Sequence, residues 1–259
     1  MSQVREEVYF TDGRIHVKGN LTARAKGKRA DYILYYKPNI PIAIIEAKDN
    51  KHTIRAGIQQ GLNYADILDI PSVYSSNGDG FFEHDKTVSN GTLEKEISLN
   101  EFPSPLELWE RYKKYKGIEG KEEDRIISEP YFSDGSGMSP RYYQQIAINR
   151  SVEAISRGKQ RILLTMATGT GKTYTAFQII HRLWKSGTKK RILFLADRNA
   201  LIDQTRRGDF RHFKDKMTVI KNKKIDKSYE IYLALYQGLT GYDEDKDAFR
   251  KFSQDFFDL

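Results

Sequence analysis

The feature that most limits what this chain can fold into is the loop Ala167-Thr168-Gly169-Thr170-Gly171-Lys172-Thr173. It lies between an apolar run, 161–166, that reads as a buried strand, and a segment with Ala176, Ile179, Ile180 and Leu183 at helical spacing. Glycines let the backbone curl so that several N–H groups point at phosphate oxygens beside a helix N-terminus. Lys172 is placed to reach the β- and γ-phosphates of ATP, and the Thr173 hydroxyl to ligate Mg²⁺. With glycine near ~7% of residues, chance gives Gly-x-Gly-Lys-Thr in such a chain only about once in a hundred. The alternative is an ordinary tight strand-to-helix turn; the nucleotide reading is preferred.

Strands and helices alternate around this loop. Residues 191–196 and 230–235 read as strands, with a short helix from about Asn199 between them, which argues a parallel, doubly wound sheet. Upstream, Ser139 can cap a helix with Pro140 at its first position, running to about Arg157 and stopped by Gly158. The Gly/Ser stretch 133–140 is the clearest boundary in the chain. The charged segment 111–125 before it reads as an exposed helix plus linker. In the first hundred residues the apolar runs are short. Those at 32–36 and 42–45 flank the turn Lys37-Pro38-Asn39-Ile40 as a hairpin. A helical pattern of Ile54, Ile58, Leu62, Ala65 and Leu68 follows and stops before Pro71. A strand at 72–74 then leads into the turn Asn77-Gly78-Asp79-Gly80. The expected organisation is 1–103, a connecting stretch 104–138, and 139–259.

Glu-x-Lys occurs at Glu46-Ala47-Lys48, Glu119-Gly120-Lys121 and Glu244-Asp245-Lys246, and only the first ends an apolar strand. Two residues apart on a strand, Glu46 and Lys48 share a face. With Pro38-Asn39 as the turn centre, Asp31 falls opposite Glu46. Two converging carboxylates can hold Mg²⁺, and a nearby lysine can orient water or stabilise charge on an attacked phosphate. The helix that follows offers Gln60 and Tyr64 at i, i+4 on the flank of its apolar face. The alternative is a cross-strand salt bridge at a strand end beside a solvated helix face.

Charge is uneven along the chain. Residues 1–138 carry 19 basic and 22 acidic side chains, whereas 139–259 carry 24 and 13. The basic half suggests a polyanionic partner, with a solvated Lys-rich surface as the bland alternative. Cysteine is absent, which excludes a disulfide scaffold, a thiol nucleophile and a thiolate metal site. The five histidines, His16, His52, His84, His181 and His212, lack metal-ligand spacing. No apolar run approaches the ~18–20 residues needed to cross a bilayer, and residues 1–7 lack a signal-peptide core. A cytoplasmic protein is expected, without a membrane partner.

Several motifs together resemble known families. The loop at 167–173, preceded by Met166 rather than glycine, resembles the helicase variant of the phosphate loop. Arg141-Tyr142-Tyr143-Gln144-Gln145 resembles the adenine-reading motif of superfamily-two helicases and translocases, with Gln144 the better candidate for that contact. The segments 194–198 and 231–237 resemble their DNA-contacting motifs. The set Asp31, Glu46, Lys48, Gln60 and Tyr64 resembles the PD-(D/E)xK nuclease fold with its glutamine–tyrosine extension. A nuclease of this type followed by such a motor resembles the restriction (R) subunit of Type I restriction–modification enzymes, as do Phe10-Thr11-Asp12-Gly13-Arg14, Ser76-Asn77-Gly78-Asp79-Gly80-Phe81 and Phe102-Pro103-Ser104-Pro105.

That resemblance implies an α/β chain: a PD-(D/E)xK nuclease-like domain over 1–103, a helical, charged linker over 104–138, and the first part of a RecA-like parallel-sheet motor over 139–259. It implies a subunit that docks on methyltransferase and specificity subunits, pumps double-stranded DNA with ATP and cleaves it with Mg²⁺. Family members carry a further N-terminal helix, often with an acid facing the nuclease site, for which Glu6 or Glu7 is the only nearby substitute. The end at Phe256-Phe257-Asp258-Leu259 resembles the lead-in to the Asp-Glu-Ala/Cys-His strand, so little ATP turnover is expected of this stretch alone. The basic half, for example Arg198, Arg206, Arg207 and 221–224, is expected to contact phosphates rather than bases. Two other functions compete: a DNA- or partner-binding module without turnover, and a repair helicase with an accessory nuclease.

Overall fold

Runs rich in valine, isoleucine and tyrosine become strands β1 (Val4–Thr11), β4 (Lys28–Lys37) and β5 (Ile40–Ala47), and two four-residue strands, β2 (Ile15–Lys18) and β3 (Leu21–Arg24), lie between β1 and β4 in the chain. The computed structural model describes residues 3–11, 15–18, 21–24, 27–220, 225–239 and 248–259. The segments 12–14, 221–224 and 244–246 singled out in the sequence lie outside the described residues. Two compact units make up the chain, residues 1–160 and 161–259.

In the first unit, helix α1 (Ile58–Leu68) crosses from β5 to the parallel strand β6 (Ser72–Ser76), and β7 (Phe81–Asp85) and β8 (Glu94–Ile97) follow antiparallel. The sheet order is β1-β4-β5-β6-β7-β8, and β2 pairs with β3 separately. The β4–β5 register matches the expectation: Tyr32 pairs with Ile45 and Ile33 with Ile44, so Asp31 faces Glu46. Helix α1 begins at Ile58 rather than Ile54, because residues 53–58 close single turns, Ala56 N–H to Thr53 O and Ile58 N–H to Arg55 O. It ends on Asp69 in the left-handed region, before Pro71.

Helices α2 (Pro105–Lys116), α3 (Lys121–Ser128) and α4 (Tyr142–Ser156) complete the unit. The charged segment is not an exposed helix and linker. Leu108, Trp109, Tyr112, Ile126 and Ile127 are buried, and the first three pack with Ile42, Tyr74 and Ile118 on one face of the sheet. Each such side chain contributes roughly 1.5–3 kcal/mol, more than the charges on the outer side can oppose. The other face carries Ile33, Tyr35, Ile44 and Val73 under Ala65 of α1. Helix α4 starts at Tyr142, so Ser139 and Pro140 are not its cap and first residue. Its N-cap is Arg141, whose N–H donates to Gln144 Oε1 at 2.8 Å.

The second unit holds α5 (Lys172–Lys185), β9 (Ile192–Ala196), α6 (Asn199–Arg207), β10 (Met217–Val219) and β11 (Ile231–Leu235). The strands form a parallel sheet in the order β10-β11-β9. Phe177, Leu183, Phe210, Phe213, Ile231 and Leu233 are buried in it. Asp258 N–H donates to Arg191 O and Leu193 N–H to Leu259 O, at 2.7 and 2.9 Å, so residues 258–259 run beside β9. The expected strand 161–166 is absent: no described strand pairs with it, and Leu163 is 90% exposed. An apolar run forms a strand only where a neighbour takes its ladder bonds.

Candidate active site

Where β4 leaves β5 for β1, side chains replace backbone rungs. Ala47 N–H donates to Asp31 Oδ2 at 2.9 Å, and Asp31 N–H to Glu46 Oε1 at 3.4 Å. The two carboxylates are thus crossed at a fork in the sheet. Gln60, on the first turn of α1, donates from Nε2 to Glu46 Oε2 at 2.5 Å. Lys48 Nζ lies 3.5 Å from Gln60 Oε1 and 3.9 Å from Glu46 Oε2. Asp31, Glu46, Lys48 and Gln60 therefore meet in one site. Tyr64 stands one turn along α1 and packs edge-on against Phe10, with ring centroids 5.1 Å apart.

Glu46 is fully buried, and burial, then the Asp31 carboxylate, pushes its pKa up to about 7. Tyr64 is also pushed up, by burial first and then by Glu46. The sequence reading missed how Glu46 becomes so enclosed. A Cβ at Gly57 would lie 2.8 Å from Glu46 Cβ, and one at Gly61 2.5 Å from Val73 Cγ1 and 3.3 Å from Glu46 Cγ. Glycines at i, i+4 let the α1 backbone press onto the acid, and Ser75 Oγ holds that end by accepting from Gly57 N–H at 2.9 Å. The Gly57-x-x-x-Gly61 spacing was the available signal.

The donor set suits a hard divalent cation, because both acids offer oxygens and Glu46 is buried without enough positive charge to hold its proton off. Among the described residues no group of three or more His, Asp or Glu gathers to hold a metal, so water or a ligand would complete the shell. Glu7 does not join the pair: it has φ +48° and bonds Arg29 at 2.9 Å, while Glu6 pairs with Tyr32 and is exposed.

In the second unit, residues 167–173 form an open loop into α5, with φ of +78° at Gly169 and +81° at Gly171. A Cβ at Gly169 would meet nothing within 4 Å, which leaves room for phosphate. Lys172 Nζ turns back to Ala167 O at 3.2 Å and Met166 O at 3.4 Å, and Thr170 Oγ1 donates to Ala167 O at 2.6 Å. Thr168 and Lys172 are exposed, and Thr173 follows on the first turn of α5. Gln144 belongs to the first unit, where its side chain serves as the α4 cap. Arg198, Arg206 and Arg207 are exposed. No helix among the described residues is long and apolar enough to cross a membrane.

A mixed sheet with a crossed acid pair, followed by a parallel sheet with a phosphate-type loop, defines the class: a PD-(D/E)xK nuclease-like α/β unit and the start of a RecA-like unit. Residues 1–103 match the family described as Type I restriction enzyme R protein N terminus, and residues 137–259 that described as Type III restriction enzyme, res subunit. The chain belongs to the R-subunit family of Type I restriction enzymes. It is 55% identical over 259 residues to the Type I restriction enzyme EcoAI endonuclease subunit of Escherichia coli, covering 100% of this chain and 32% of that protein. With the EcoKI endonuclease subunit of Escherichia coli (strain K12) it shares 32% identity over 216 residues, 68% of this chain and 18% of that one. A solved fragment assigned to an HsdR subunit of a type I restriction enzyme from Vibrio vulnificus YJ016 superposes with TM-score 0.80 at 40% identity, over 98% of this chain and 45% of that one. The chain thus spans about a third of its curated EcoAI relative.

Proposed function

We propose that this chain supplies the nuclease site and the first part of the motor of a Type I R subunit. In the whole protein, that subunit moves double-stranded DNA with ATP and cleaves it with Mg²⁺. The functional division we assign is 1–103 for the nuclease, 104–138 for the connecting helices and 139–259 for the motor. Its partners are DNA and the methyltransferase and specificity subunits, and its compartment the cytoplasm. The observation that carries this reading is the Asp31–Glu46–Gln60–Lys48 cluster at the sheet fork.

Asp31 and Glu46 would hold Mg²⁺ at the nuclease site, where it would neutralise phosphate charge and lower the pKa of a bound water. Gln60 holds the Glu46 carboxylate in place, and Lys48 offers a cation to the attacked phosphate. Tyr64 closes the apolar side. At the loop 167–173, Lys172 would exchange its carbonyl partners for phosphates and Thr173 would share a second Mg²⁺. The lysine's present engagement and the unpaired 161–166 segment favour slow ATP turnover by this stretch alone.

The test is nicking of supercoiled plasmid with Mg²⁺ against EDTA. Mg²⁺-dependent nicking should fall at least about a hundredfold in Glu46→Ala and in Lys48→Ala. Nicking that survives both substitutions, or that EDTA does not stop, would overturn the assignment.

A further inference from the structure

The turn that follows Lys48 carries charge that neither candidate site uses. β5 hands over to α1 through residues 48–57, which hold Lys48, Lys51, His52 and Arg55 against one acid, Asp49. The backbone there is braced. Lys48 N–H donates to Ser76 O at 2.8 Å, Asn77 Nδ2 to His52 O at 3.1 Å, and Lys51 N–H to Asp49 Oδ1 at 3.0 Å. The Asp49 carboxylate is consumed inside the turn, since Oδ1 also meets His52 Nδ1 at 2.7 Å. Arg55 is engaged elsewhere. Its guanidinium lies over Phe82 at 4.5 Å and donates twice to Glu96 Oε1, at 3.0 and 2.8 Å. That leaves Lys51, exposed and without a carboxylate partner among the described residues, and the outer edge of His52, whose side chain is 57% exposed.

Three residues on from Lys48, the Lys51 Cα can be no more than about 11 Å from that of Lys48. A DNA strand advances ~3.4 Å per nucleotide along the helix axis, but its phosphates wind around that axis and lie roughly 6–7 Å apart, so this span covers one or two phosphate steps. We propose that the turn 49–52 is a seat for the DNA backbone, in which Lys51, with His52 beside it, holds a phosphate one or two nucleotides from the one bound at Asp31, Glu46 and Lys48. The seat rests on the nuclease reading only for which phosphate lies in the site. Lys51 acts as a point charge and reads no base, and the braced turn is already ordered, so little backbone entropy is lost on binding.

The chain has no cysteine, so Lys51→Cys introduces a unique thiol. This variant, carrying a photo-crosslinking maleimide, is mixed in EDTA with a short duplex. It should crosslink several-fold more strongly than Glu110→Cys, on the exposed side of α2, where the native side chain is 59% exposed. In parallel, Lys51→Ala should reduce the salt dependence of duplex binding by roughly one phosphate contact, and affinity by about three- to tenfold. Equal crosslinking from positions 51 and 110, or an unchanged salt slope, would overturn the seat. Neither readout requires cleavage. A plasmid that stays supercoiled while Lys51→Cys crosslinks strongly would remove the nuclease reading and retain the seat as a DNA contact.

Discussion

The two candidate sites solve the problem of holding charge in opposite ways. At the fork between β4 and β5, Asp31, Glu46 and Gln60 bond to one another or to the neighbouring backbone across three successive elements, β4, β5 and α1, and Glu46 is fully enclosed. At residues 167–173 the Lys172 ammonium and the Thr170 hydroxyl donate to carbonyls next to them in the chain, and the preceding apolar run stays exposed. The first site is assembled by tertiary structure and strains against its own buried charge. The second is a local backbone shape, set by positive φ at Gly169 and Gly171, with the Lys172 side chain exposed. Perturbations that change burial should therefore act on the first unit, and perturbations of ligand contacts on the second.

The largest expected effect is a pair of opposite pH dependences. The pKa of Glu46 is raised from 4.5 to about 7 by burial and Asp31, so the folded chain binds its proton more tightly than the unfolded one. In metal-free buffer the first unit should thus be favoured at low pH and lose roughly 3 kcal/mol as pH rises from 4.5 through 7. In the second unit, His181 is lowered from 6.5 to about 4, by burial first and then by Lys185, so stability should fall as pH drops from 6.5 towards 4. That loss is likewise roughly 3 kcal/mol. The only two tryptophans divide between the units, Trp109 in the first and Trp184 in the second. Fluorescence unfolding of Trp184→Phe and Trp109→Phe chains reads each unit by itself. Slopes of the same sign, or a first-unit slope unchanged by Glu46→Gln, would break the comparison.

Next in size is Gly61→Ala, which drives a methyl against Val73 and Glu46. Overpacking of about 1–3 kcal/mol should outweigh the ~1 kcal/mol that alanine gains over glycine in a helix. The first-unit unfolding midpoint should fall and the second-unit midpoint stay fixed. A stabilised first unit would mean that α1 does not press on the acid. The smallest effect is Lys172→Ala. Its ammonium is exposed, so second-unit stability should move by less than about 0.5 kcal/mol while retention of a fluorescent ATP analogue is lost. Retained nucleotide would contradict the phosphate-loop reading.

The parts that were legible in the sequence depend on short-range rules. Pro38-Asn39 fixed a two-residue hairpin, and with it the register that sets Asp31 against Glu46. The Gly-x-Gly-Lys-Thr run announced its own loop, and the apolar spacing of α5 its helix. What escaped depended on distant partners. Residues 161–166 have strand composition but no described neighbour, while the charges of 111–125 concealed a helix pair whose Trp109 is buried. Glu-rich β8 owes its strand to pairing with β7 rather than to propensity. Gln144, the candidate for the adenine contact, also caps α4, because a glutamine at the third helical position can reach back to the N-cap N–H, a role its motif did not signal.

The central claim is that the buried charge of Glu46 is answered by a divalent cation. It is tested most directly by unfolding the Trp184→Phe chain at pH 8 with Mg²⁺ and with EDTA, reading Trp109. Mg²⁺ at ten times its Kd should stabilise the first unit by about 1.4 kcal/mol. The gain should vanish in Glu46→Gln and leave the second unit, read through Trp184 in the Trp109→Phe chain without nucleotide, unmoved. Equal stability in Mg²⁺ and EDTA, or an Mg²⁺ gain that survives Glu46→Gln, would contradict a metal site at the fork.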